Sequence, residues 1–228
     1  MRVNRCLAFI DLSGFTALTD AEGDERAVAL LSTFRALVRD VCSRRGVRIA
    51  KWLGDGAMLV SVDTTPVLAA TLEISTSGFL RSEPTDVRCG VSAGPVILLE
   101  GDDYIGHPVN LAARLCDMAG NGEVLAAPSV LALLPRWGTV LTASERVVRG
   151  LERSISVASI GLKPLNGAVS EDSVCGIPLT RDVAEVFDHD PLGEEVLFCS
   201  ESCHDTWLRR PRPAPESPGS VRTPFIGS

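Results

Sequence analysis

A short apolar run over 5–11 closes on an acid, and 14–45 then carries apolar side chains at helical spacing through Phe15, Leu18, Ala27, Leu30, Leu31, Phe34, Leu37, Val38 and Val41. The pattern predicts strand, turn and long helix. Two strand candidates, 47–50 and 57–62, bracket the tight Gly54-Asp55-Gly56, which predicts a hairpin. A second helix fits 66–80, with Pro66 at its start. Residues 87–99 predict a strand interrupted at Gly94-Pro95, and 108–118 a helix stopped by Asn121-Gly122. A strand over 123–127, a short helix over 128–134 and strand candidates near Val140, Val147 and 155–160 follow. Helices interleaved with paired strands imply an α+β domain, helices on a mostly antiparallel sheet, ending near residue 162. Beyond it, 163–172 reads as a linker, 173–210 as a small unit, and 211–228, with five prolines and few large apolar residues, as a disordered tail.

At 228 residues and 45% hydrophobic, the chain can bury one full core and carry a smaller second unit. Its 22 basic and 29 acidic residues give a net charge of -7, which excludes a nucleic-acid binder that depends on a general basic field. A phosphate ligand stays open, because metal ions mask carboxylates at a site. The N-terminal apolar run is too short for a signal segment and no stretch of some 18 apolar residues occurs, so the expected setting is the cytosol with no membrane partner. Of seven cysteines, Cys6, Cys42, Cys89 and Cys116 stand singly in apolar stretches and read as buried small hydrophobes. Cys175, Cys199 and Cys203 fall together, the last two four apart beside His204, a spacing at which thiolates can meet one ion.

Asp11 ends a predicted strand and Asp55 tips the predicted hairpin. Taken singly, Asp11 reads as the cap of the following helix and Asp55 as a turn residue. Side by side they would offer hard oxygen donors suited to Mg²⁺ or Mn²⁺, ions that take their remaining ligands from water and a substrate's phosphates. Asn110 and Arg114 are four apart and share a predicted helix face.

FIDLSGFT at 9–16, KWLGDGAMLV at 51–60, VRCGVSAGPV at 87–96 and DDYIGHPVNLAARL at 102–115 resemble, in order, the signature blocks of the class III adenylyl and guanylyl cyclase catalytic domain. The resemblance covers residues 5 to about 160 and implies a ferredoxin-like βαββαβ core with a mostly antiparallel sheet. It makes Asp11 and Asp55 the carboxylates for two Mg²⁺ or Mn²⁺ ions, with the Leu12 backbone carbonyl as an extra ligand. It makes Lys51 and Asp103 the base-reading pair, Asn110 the residue that orients the ribose, and Arg114 the cation facing charge on the α-phosphate in the transition state. An ammonium and a carboxylate complement adenine, so ATP is expected over GTP. The family's triphosphate lysine aligns with Arg149, a departure, with Lys163 the alternative. Because the family draws its site from two subunits and all six positions occur here, a homodimer is implied. An inactive cyclase-like nucleotide- or metal-responsive dimerisation module and a guanylate cyclase are the competing readings. A phosphohydrolase is weaker, since His107, His189 and His204 are scattered.

SVCGIPLT, FCSESC and TWLRRP resemble the small YHS or TRASH metal-binding domain over about 171–211. That resemblance makes Cys175, Cys199 and Cys203 ligands of Zn²⁺ or Cu⁺, with His204 or His189 as a candidate fourth. It raises the expectation that metal or redox state acts on cyclase activity, while naming no regulatory partner.

Overall fold

A computed structural model describes residues 1–77, 83–99, 103–150 and 153–210; the end of the helix predicted over 66–80 and the tail at 211–228 lie outside the described residues. The central strand β1 (Arg2–Ser13) is flanked on both sides by antiparallel partners, β3 (Gly56–Ser61) and β4 (Asp86–Leu98). With β2 (Arg48–Leu53), β6 (Val124–Ala126), β7 (Gly138–Arg146) and β8 (Ile155–Leu162), the sheet runs β2-β3-β1-β4-β6-β8-β7. The step from β4 to β6 is parallel. The first four strands, crossed by α1 (Phe15–Glu22), α2 (Asp24–Arg44) and α3 (Thr64–Ser75), form a ferredoxin-like βαββαβ core, so the α+β fold holds.

Period-two alternation explains why both faces of the sheet are covered. On β1, Cys6, Ala8, Ile10 and Leu12 join Ala57 and Leu59 of β3 in a cluster with Phe34, Val38 and Val41 of α2 and Val67, Leu68 and Leu72 of α3. The intervening residues point the other way: Leu7, Met58 and Val60 meet Val96 and Tyr104. Tyr104 lies on β5 (Tyr104–Ile105), which pairs with the end of β4. The hairpin of β4 and β5 therefore folds over the second face. On the same face α4 (His107–Met118) lies against β4 at Gly90, where an added Cβ would come within 2.2 Å of both the Ala112 carbonyl and the Cys116 amide.

Three expectations change. The long helix divides at Gly23, whose φ of 84° leaves the helical region. Strand β4 continues through Gly94-Pro95, because the neighbouring ladder to β1 holds it in register. The supposed linker already contains β9 (Ser170–Glu171), paired with β10 (Pro178–Leu179), and the small unit continues through β11 (Val186–His189), β12 (Glu195–Phe198) and a closing helix, Glu201–Arg209. Nor does that unit stand apart. Ile177, Leu179, Val183 and Leu197 belong to the same buried cluster as α2 and α3. Trp137, 1% exposed, donates its indole N–H to the Cys199 carbonyl at 3.0 Å, and Arg44 Nη1 donates to the Cys175 carbonyl at 2.9 Å. So short a segment has too little apolar area for a core of its own and borrows the neighbouring one.

Gly90→Ala is expected to lower the unfolding free energy by about 3 kcal/mol, since backbone on both sides prevents relaxation; chemical denaturation measures it, and a wild-type midpoint would show that α4 does not bear on β4 this closely.

Candidate functional site

Asp11 sits near the end of β1, opposite Gly56 on one side and Arg88 on the other. It lies on the same face of the strand as Leu7 and Phe9, away from α2 and α3. It does not cap the following helix, which begins after Gly14 with no side-chain cap. Instead Arg88 clamps it, Nε and Nη2 both donating to Asp11 Oδ2 at 2.9 and 2.5 Å. Asp11 Oδ1 lies beside the hairpin turn, where a Cβ on Gly56 would approach it to 3.0 Å. Asp55 occupies that turn, half-buried, and its carboxyl is pushed above the ordinary aspartate range, first by burial and then by the negative charge of Asp11. A half-buried carboxylate whose ionisation a neighbouring carboxylate opposes belongs to a donor set that a divalent cation would relieve. Leu12, buried, remains in the ladder opposite Val87. Arg88 carries no sequence signal of its own, because its partnership depends on a register across 77 residues.

Lys51, on β2, is drawn onto Asp103, just before β5, with Nζ to Oδ1 at 2.7 Å. The pair is 52 residues apart in the chain, and the fold-over of β4 and β5 brings it together. The Lys51 ammonium, followed by the Tyr104 amide at 2.8 Å, holds the Asp103 carboxyl below its ordinary range. Asn110 and Arg114 project from α4 into a cleft of about 260 Å³ whose lining also includes His107, Val148 and Arg149. Arg149 thus joins the Asn110 and Arg114 face. Lys163 does not line that cleft: its backbone bonds to Trp137 and its charge acts on Asp182. Neither Asp11 nor Asp55 lines the cleft either.

The three late cysteines converge. Cys175 and Cys199 sulphurs are 3.5 Å apart, and Cys199 and Cys203 sulphurs 3.6 Å. Asp172, inside the supposed linker, completes a group whose donor atoms all lie within 4.8 Å of one another and which could hold a metal ion. Hydrogen bonds from Cys199 and Cys203 pull the Cys175 thiol strongly down, toward thiolate, and the Cys199 thiol is pushed up in return. The isolated cysteines behave otherwise: burial raises Cys6, Cys42 and Cys116 to about 12, as expected of apolar filler. Neither expected histidine joins the cluster. His204 Nε2 bonds to Asp188 at 2.8 Å, and His189 is exposed on β11.

Residues 3–157 match the family described as the adenylate and guanylate cyclase catalytic domain. An uncharacterized protein of Mycobacterium tuberculosis H37Rv is 40% identical over 131 residues, 58% of this chain and 34% of its own length. A pH-sensitive adenylate cyclase of M. tuberculosis CDC 1551 is 30% identical over 174 residues, 73% of this chain and 43% of its own. A Streptomyces coelicolor adenylate cyclase is 36% identical over 126 residues, 54% and 32% respectively. The chain therefore spans less than half the length of these relatives. Among solved structures, the adenylyl cyclase CyaB from P. aeruginosa superposes with a TM-score of 0.65 at 21% identity, covering 72% of this chain and 96% of that one. The guanylyl cyclase Cya2 gives 0.64 at 20%, covering 72% and 94%. At these identities the likeness is one of fold.

Because Asp55 holds its proton more tightly folded than unfolded, its contribution to stability falls as pH rises from about 4, the ordinary aspartate value, through the raised folded one. Asp55→Asn is expected to raise the thermal midpoint of the metal-free chain at pH 7 and to lose that gain below about pH 4. Calorimetry across that range measures it; a gain independent of pH would mean the carboxylate charge is not what strains the turn.

Proposed function

This chain belongs to the adenylate and guanylate cyclase catalytic-domain family, and from that premise we propose that it is an adenylate cyclase, closing ATP to 3′,5′-cyclic AMP and pyrophosphate at a homodimer interface. The observation that carries the reading is the Lys51–Asp103 contact. A donor and an acceptor side by side match adenine, whose ring N1 accepts and whose 6-amino group donates; guanine reverses the pattern and would leave both unpaired. ATP replaces their mutual bond with two bonds of its own.

Asp11 and Asp55 would hold two Mg²⁺ or Mn²⁺ ions, with the Leu12 carbonyl as an additional donor; such ions would supply acidification of the ribose 3′-hydroxyl and charge neutralisation on the triphosphate. Arg88, donating twice to Asp11 Oδ2, would keep that carboxylate aimed for a cation. Asn110 orients the ribose, Arg114 meets charge on the α-phosphate, and Arg149 binds the outer phosphates through a planar fork in place of a lysine's point charge. The separation of the carboxylates from the Asn110 and Arg114 cleft supports a site built from two chains. For the thiol cluster we propose Zn²⁺ or Cu⁺ bound by Cys175, Cys199 and Cys203 in a YHS-like unit. The sulphur separations approach the edge of about 3.8 Å that a tetrahedron with 2.3 Å metal–sulphur bonds requires.

One observation favours a second reading, a nucleotide- or metal-responsive dimerisation module without turnover: the Arg88 clamp already satisfies Asp11. Product formation decides. With Mn²⁺ or Mg²⁺ the chain is expected to make cyclic AMP from ATP, preferring it to GTP in competition, while Asp55→Ala and Arg114→Ala each lose at least about 100-fold in kcat. Mixing the two inactive variants should restore about a quarter of wild-type activity, because half the dimers then hold one intact site of two. No product from a verified dimer would establish the second reading. Removing the thiol-bound metal is expected to lower activity along with stability; unchanged turnover after verified metal loss would separate the two centres.

A further inference from the structure

The three sulphurs open onto a cleft of about 210 Å³ whose lining includes Arg44, Arg45 and Thr206 together with the cysteines. Cys203 is half-buried, whereas Cys175 and Cys199 are each 2% exposed. A tetrahedral ion needs a fourth donor, and among the described residues the one other ligand-bearing side chain grouped with the sulphurs is Asp172. Asp172, though close, already serves the backbone: Oδ1 accepts from the Val174 and Cys175 amides at 2.8 and 3.1 Å, and Oδ2 from the Cys199 amide at 2.7 Å, so binding an ion would compete with those bonds. It fixes the two loops that present the sulphurs. His204 is held by Asp188.

The second observation is Arg45. Its side chain is 3% exposed. Nε and Nη2 reach Glu73 at 2.6 and 2.5 Å, but Nη1 is buried with no hydrogen-bond partner among the described residues. A buried, charged donor left without an acceptor is costly, so it marks a place where something else accepts. Its charge also acts on Cys175.

We propose that the three-thiolate centre keeps its fourth position open toward this cleft, and that the thiolate of a small thiol fills it, its negative charge answered by Arg45. The inference rests on the metal reading of Cys175, Cys199 and Cys203. A soft donor set favours a soft fourth ligand. The cleft is several times the roughly 30 Å³ share of one water, and Pro66, Ala69 and Val174 give apolar wall for a short carbon skeleton. Binding is ligand exchange: the thiol proton leaves to solvent, and no electrons move. The centre would then report the cell's small-thiol pool to the α2 terminus through the Arg44–Cys175 bond and to the start of β7 through the Trp137–Cys199 bond.

Zinc-edge X-ray absorption on the zinc-loaded full chain, titrated with 2-mercaptoethanol, tests this. Expected are one zinc per chain, three sulphurs and one light donor before addition, and four sulphurs after it. Arg45→Gln should weaken the half-saturating thiol concentration by at least about tenfold, the effect of losing one charge-assisted bond, while Arg45→Lys loses less. On wild type, cysteamine, of similar size but cationic, should bind more weakly than 2-mercaptoethanol, which keeps the question answerable if Arg45→Gln does not fold. A chain that binds no zinc overturns the metal reading beneath the proposal. Bound zinc whose coordination ignores added thiol overturns the open position alone, and equal binding of the two thiols overturns the part given to Arg45.

Discussion

Burial of β1 on both faces is the constraint from which the rest of the structure follows. Its even positions from Cys6 to Leu12 lie in the core under α2 and α3, and Leu7 lies under the β4–β5 fold-over. A slip of one residue would exchange the two sets, so the register with β3 and β4 is tightly held. That register is what puts Asp11 opposite Gly56 and Arg88. The same second-face burial calls for Tyr104, and Tyr104 brings Asp103 to Lys51. Apolar packing thus positions polar groups it never touches.

Charge is sorted in space although the chain is acidic overall. Asp11 and Asp55 gather at the hairpin end of β1, with Arg88 answering part of their charge. Arg114 and Arg149 line a separate cleft around α4. Placing the anionic and cationic groups on different parts of the chain keeps them from pairing with and neutralising each other.

The C-terminal unit solves the opposite problem, too little core. It leans on α2 and α3 and ties its backbone to Trp137 and Arg44. Its polar centre is organised by one buried carboxylate, Asp172, whose two oxygens accept from three amides. Burying that charge is tolerable because every bond is charge-assisted and the loops it fixes are short.

The α+β class, the hairpin around Asp55, the helix bearing Asn110 and Arg114, and the conjunction of candidate residues were all legible in the chain, because they depend on local periodicity, turn chemistry and ordered motif blocks. It also singled out the three late cysteines by their spacing. It takes the folded chain to show that Arg88 clamps Asp11, that Lys51 meets Asp103, that Arg149 rather than Lys163 shares the α4 cleft, and that Asp172 instead of a histidine lies beside the three sulphurs. Each of these is a contact across dozens of residues, set by strand register or by which face a segment must cover. A segment such as 163–172, polar and unpatterned in the chain, acquires its role only when the core beside it supplies the apolar surface it lacks.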